Sequence, residues 1–151
     1  MILQFLVCGG RGLNRAFMVV GCLLLLSACS FFSNAPESRA TQFLKVLVTD
    51  PGDAQQLRGL ADVPEGADPQ SVVHGVSTQV ALDYLRTLQR QGQRQDFGIG
   101  PVRVHGASGR EVTVLVTPNN QPAVRRSAIR FHVELKDVAT RGWLVTAVQA
   151  E

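Results

Sequence analysis

The chain has 151 residues, with 15 basic and 12 acidic side chains and a formal net charge of +3. That length makes one domain with a single core, and the near-balance of charge lacks the concentrated basic surface that nucleic-acid binding needs. No apolar run approaches the ~20 residues of a membrane-crossing helix.

Arg11 and Arg15 precede an apolar run from Ala16 to Leu26, which leads into Leu26-Ser27-Ala28-Cys29. A positive segment followed by a short apolar run is the pattern of a secretory signal. At 1.5 Å per residue the run falls well short of the ~30 Å of hydrocarbon in a bilayer. The four residues that end it resemble the bacterial lipobox, with Leu26 at −3, small residues Ser27 and Ala28 at −2 and −1, and Cys29 at +1. That resemblance implies recognition of Leu26, Ser27 and Ala28 by a dedicated peptidase, cleavage before Cys29, and a diacylglycerol on the Cys29 thiol. Acyl chains would then hold the protein to a membrane at ~0.8 kcal/mol per buried methylene. Ser30 after the cysteine implies, by enteric-type sorting, the periplasmic side of the outer membrane rather than the inner membrane.

Residues 1–28 are thus expected to be a signal peptide, 29–35 a lipidated tether and 36–151 one domain. The leader takes Arg11 and Arg15 and no acid, leaving a mature part with nearly equal numbers of basic and acidic groups. It also takes Cys8 and Cys22. Cys29 is then the sole mature cysteine, which excludes an intramolecular disulfide and a thiolate metal site.

In the mature part, helix signals come first. Pro36 suits a first helical turn, and Ala40, Phe43, Leu44, Leu47 and Val48 fall on one helical face. Thr49-Asp50-Pro51-Gly52-Asp53 breaks that helix. Asp50 is the expected cap of a second, short one starting at Pro51, with Asp53 in its first turn and Leu57, Leu60 and Ala61 facing inward. An acidic loop follows. A third helix ends near Gln91-Gly92, with an expected apolar face of Val73, Val76, Val80, Tyr84 and Leu88; Gly75 points to a start near Ser77.

Beyond Phe97 the period becomes two. Val102 and Val104 lead to a turn at Gly106-Ala107-Ser108-Gly109, and Val112, Val114 and Val116 then alternate with Glu111, Thr113, Leu115 and Thr117. A second turn spans Pro118 to Pro122. In the next strand Ile129, Phe131, Val133 and Leu135 face one way, and Arg130, His132, Glu134 and Lys136 the other. Thr140-Arg141-Gly142 turns into a last strand, Trp143 to Val148. Apolar residues on both of its sides suggest a strand covered on two faces, as a central strand or at a subunit contact.

Helices segregated from strands argue for an α+β domain, three helices packed on a curved four-stranded antiparallel sheet. The element order, the Phe43-Leu44-Lys45-Val46-Leu47 helix and the closing Gly142-Trp143-Leu144-Val145 strand resemble the nuclear transport factor 2-like superfamily, a cystatin-like cone of sheet around helices. That superfamily includes binding and assembly modules of envelope machines and some isomerases or dehydratases, so fold analogy alone does not choose a function.

Few residues suggest chemistry. His74, His105 and His132 lie far apart with no zinc-binding spacing, and no metal or cofactor is expected. Asp83 and Tyr84 with His105 or His132 would make an acid–base set only if brought within ~3 Å of a shared substrate; Asp83, three residues before Arg86, also reads as a helix-surface ion pair. Gly98-Ile99-Gly100 opens a strand rather than a helix, which removes a phosphate-loop reading. Arg86 and Arg90 near a helix end, and Arg125 with Arg126, are candidate contacts to headgroups or to a protein partner. The expectation is a non-enzymatic, lipid-anchored binding or assembly module of the cell envelope, attached to the membrane through acylated Cys29 and touching an envelope protein, such as a secretion or conjugation machine. The alternatives are a carrier of a small apolar ligand in the cone and, third, a cone-fold isomerase or hydrolase.

Overall fold

The computed structural model describes residues 34–119 and 127–151. Pro36 opens α1 (Pro36–Thr49), with Ala35 extended before it and Glu37 in the first turn, where an acid complements the helix dipole. The expected face is buried, and Val46 joins it. Helix α2 (Ala54–Leu60) starts later than the sequence suggests. Its cap is Asp53, whose carboxylate accepts from the Gln56 amide at 2.9 Å, while the Asp50 carbonyl accepts from the Asp53 amide at 3.1 Å. Pro51-Gly52 is spent on the turn, because glycine inside a helix costs about 1 kcal/mol relative to alanine.

Within the acidic loop a 3-10 turn forms over Pro69–Val72, capped by the Asp68 side chain. Helix α3 (Val76–Arg90) begins after Gly75, whose φ of 85° suits a residue without a Cβ. Here the expected inner face holds at Leu88 and fails at Val76, Val80 and Tyr84. Val76, Val80 and Tyr84 are exposed by 81%, 63% and 42%, and the buried residues are Thr78, Leu82, Leu85 and Leu88. Leucines bury more apolar area than valines, and the tyrosine hydroxyl keeps its water.

Four antiparallel strands follow, β1 (Gln95–His105), β2 (Gly109–Pro118), β3 (Ile129–Val138) and β4 (Gly142–Ala150), in spatial order β1-β2-β3-β4. Val112, Val114 and Val116 pair with Val133, Phe131 and Ile129, so one sheet face is apolar across the middle strands. Register shifts between Ile99 and Val102 and between Glu134 and Leu135 bend the outer strands. Strand β4 is an edge strand, not a central one. Its outer edge is nevertheless occupied: Asp62 donates to the Val145 carbonyl at 2.8 Å and His74 to that of Val148 at 2.9 Å. Leu144 and Val145 are consequently both buried.

Helix α1 alone crosses the sheet, touching all four strands, whereas α2 and α3 pack chiefly on α1 and on β4. The three helices therefore do not share the sheet equally. Phe43, Leu44 and Leu47 of α1 join Val114, Val116, Phe131 and Val133 in one core cluster, each with no accessible surface. Phe97 of β1 packs against that core, but further along β1 the same face is less covered. Ile99, Val102 and Val104 stand opposite Val114, Val112 and Arg110, yet stay exposed by 47%, 38% and 66%.

Candidate functional site

Strand alternation puts Arg103, His105, Glu111, Arg130 and His132 on the face away from the helices. Glu111 sits at the centre of that face and is mostly covered. Its Oε1 lies 3.4 Å from Arg103 Nη1 and 3.2 Å from His132 Nδ1, and its Oε2 lies 3.4 Å from His105 Nε2. The other nitrogen of His132 is 3.4 Å from Glu151 Oε2, and Arg130 reaches the same oxygen at 3.7 Å. The result is a ladder of polar and charged side chains across three strands and the residue after the fourth. The register explains it: Arg103 pairs with Glu111, which pairs with Glu134, and Thr113 pairs with His132. Sequence reasoning places His132 between Arg130 and Glu134 along its own strand and misses the cross-strand partners. The signal that would find them is register, which the alternation of single strands does not contain.

A neutral imidazole donates only one hydrogen, so His132 satisfies both carboxylates as a donor only when doubly protonated. On an open face such pairs are worth at most about 1 kcal/mol each. The ladder lies on an open sheet face rather than in an enclosed pocket. Among the described residues, no group of three or more His, Cys, Asp or Glu side chains is arranged to hold a metal ion.

The acid–base set is not assembled. Asp83 is exposed on α3 and pairs with Arg86 at 3.2 Å, Tyr84 points outward, and His105 and His132 occupy the opposite face of the sheet. Of the arginines read as partner contacts, Arg86 is half-buried and turned inward. Its Nε donates to the Leu47 carbonyl at 2.9 Å and its Nη2 to Gln70 Oε1 at 3.4 Å. Arg90 is exposed and donates to Thr87 Oγ1 at 3.1 Å. Arg125 and Arg126 lie outside the described residues, as do Leu26, Ser27, Ala28 and Cys29.

Trp143 is half-buried, with the Arg110 guanidinium 5.2 Å above its ring. Surface hollows are shallow. A groove of about 420 Å³ runs between α1 and β1, lined by Ser38, Thr41, Lys45 and Ile99 among others. A second, also about 420 Å³, lies between His105, Ser108, Glu134 and Lys136.

No protein-family model matches the chain, and no curated protein does. Solved structures do. Rd1NTF2_04 with long sheet is similar at 18% identity over 78% of this chain and 100% of its own, with a TM-score of 0.48. An NTF2-like protein of unknown function in nutrient uptake from Rhodospirillum rubrum is similar at 20% identity over 71% of this chain and 88% of its own, with a TM-score of 0.39. A protein from Catenulispora acidiphila is similar at 12% identity over 83% of this chain and 94% of its own, with a TM-score of 0.41.

Proposed function

We propose that the chain is a lipid-anchored, extracytoplasmic binding or assembly module of the bacterial cell envelope. The observation that carries this reading is Leu26-Ser27-Ala28-Cys29 at the end of a short apolar run with Arg11 and Arg15 before it. A compact unit running from Asn34 to Glu151 begins a few residues after the cysteine, so an acylated Cys29 would tether a folded domain by a very short leash. Among the described residues no helix is long and apolar enough to cross a membrane, and lipid on the thiol is the attachment that the sequence suggests. Two or three acyl chains suffice for stable anchoring.

A binding role fits a domain whose ordered charge lies on an open sheet face and whose centre is filled by side chains. The periplasmic side of the outer membrane, and work as an accessory of a secretion or conjugation machine, are the finer parts of this proposal. Cells expressing the protein and fed labelled palmitate are expected to incorporate label into it, and Cys29→Ser is expected to remove both label and membrane association. An unlabelled wild-type protein overturns the reading. Affinity capture from solubilised membranes is then expected to return defined envelope proteins.

A further inference from the structure

The antiparallel meander gathers the end of β1 at His105, the start of β2 at Gly109, the end of β3 at Val138 and the start of β4 at Gly142 at one end of the sheet. The described chain also starts there. The side-chain oxygen of Asn34 lies 3.7 Å from the Cβ position of Gly142 and accepts from Arg39 Nη2 at 2.8 Å. Covalent geometry does the rest. Four residues lie between Cys29 and Asn34, so five Cα-to-Cα steps of at most about 3.6 Å each join them. An acylated Cys29 therefore holds this end of the sheet within about 18 Å of the point where the acyl chains enter the bilayer.

The surface at this end has the composition for such a neighbour. Val102 and Val104 are exposed on the hairpin, although they belong to the apolar face of the sheet. Beside them Arg110 lies over the half-buried indole of Trp143. Arg39, Arg110 and Arg141 have no ion-pair partner among the described residues; Arg39 and Arg141 are held by Asn34 and by the Arg58 carbonyl. Apolar side chains, an indole and cations together suit the boundary between headgroups and acyl chains.

We propose that the β1–β2 hairpin end of the domain rests on the phospholipid surface, with Val102 and Val104 entering the headgroup layer and Arg39, Arg110 and Arg141 meeting lipid phosphates. This rests on the lipid-anchor reading and goes further, because it fixes the domain's orientation. The charge ladder around Glu111 and His132 then stands to the side of the bilayer, and the α3–β1 turn near Gln91 faces away from it, towards partners.

The test uses the full protein purified from membranes, with its mass recorded, in vesicles of phosphatidylethanolamine and phosphatidylglycerol. An environment-sensitive fluorophore is placed on Val104→Cys, on Ala107→Cys at the hairpin tip, and on Gln91→Cys at the far end; the acylated Cys29 sulfur does not compete for label. Nitroxide lipids carrying the spin label near the headgroup are the quencher. Several-fold stronger quenching at 104 and 107 than at 91 is expected. Acylated protein with unquenched 104 and 107 labels, or with equal quenching at all three positions, overturns the orientation and leaves the anchor standing. An unmodified mass at Cys29 overturns both.

Discussion

Arg86 Nε donates to the Leu47 carbonyl at 2.9 Å, joining the middle of α3 to the last turn of α1. That carbonyl is one of the four at the end of α1 that no helical amide reaches. The same guanidinium also reaches Gln70 and Asp83, so one side chain fastens α1, the 3-10 turn and α3. Its fork of donors suits three acceptors in different directions, which a lysine ammonium serves less well.

Arg86→Ala is therefore expected to destabilise the domain by about 1–3 kcal/mol, since a half-buried carbonyl loses a charged donor. Arg86→Lys is expected to recover part of that. Urea midpoints at constant m-value are the measurement, and an unchanged midpoint for the alanine variant contradicts the clasp.

The face of α3 is open to a direct contrast. Val80→Lys is expected to change stability by less than about 0.5 kcal/mol, as an exposed substitution does, whereas Leu85→Ala is expected to cost about 2–5 kcal/mol through a cavity. Thermal unfolding of the two variants decides between this packing and the face suggested by Val76, Val80 and Tyr84.

Thr78 is the fully buried hydroxyl of α3, and its Oγ1 accepts from the Ala150 amide at 2.8 Å. Thr78→Val keeps the shape and removes the acceptor, at an expected cost of about 1–3 kcal/mol, while Thr78→Ser retains the acceptor. Amide hydrogen exchange at Ala150 is expected to speed up in the valine variant and to stay closer to wild type in the serine variant.

Arg110→Ala is expected to shift the emission of Trp143, the sole tryptophan, because the cation above its ring is removed. The stability change is expected to stay near 0.5–1 kcal/mol, the worth of an exposed cation–π contact. Emission identical to wild type would mean that the two side chains are apart in solution.

Close approach at the hairpin gives a further check. A Cβ on Gly109 would lie 2.5 Å from the His105 carbonyl oxygen, a backbone atom that cannot swing aside as the end of a flexible side chain could. Gly109→Ala is expected to lower the melting temperature by several degrees, on the scale of about 1–2 kcal/mol for a domain of this size.

Much of the architecture is written locally. Alternation in β2 and β3 assigns Val112, Val114, Val116, Phe131, Val133 and Leu135 to the inside, and all are buried. Pro36 and the spacing of Ala40, Phe43, Leu44 and Leu47 do the same for α1. Those signals are legible because burial of one face imposes period two or 3.6 on the chain itself. In α3 two apolar stripes compete, and the sequence has no means of ranking them; the choice falls to what α1 and β4 present. The cap of α2 is ambiguous for a related reason, as Asp50 and Asp53 both precede a helix-compatible run.

The candidate surfaces divide along the same line. Leu26-Ser27-Ala28-Cys29 is a contiguous signal, read by an enzyme before any fold exists, so sequence alone carries it. The ladder on Glu111 needs three strands in register, and the inward turn of Arg86 needs α1 to end beside α3. Exposure of Val102 and Val104 depends on which parts of the sheet the helices cover. Each of these depends on which residues far apart in the chain become neighbours. Local periodicity fixes the faces of the elements, and only tertiary packing decides which faces meet.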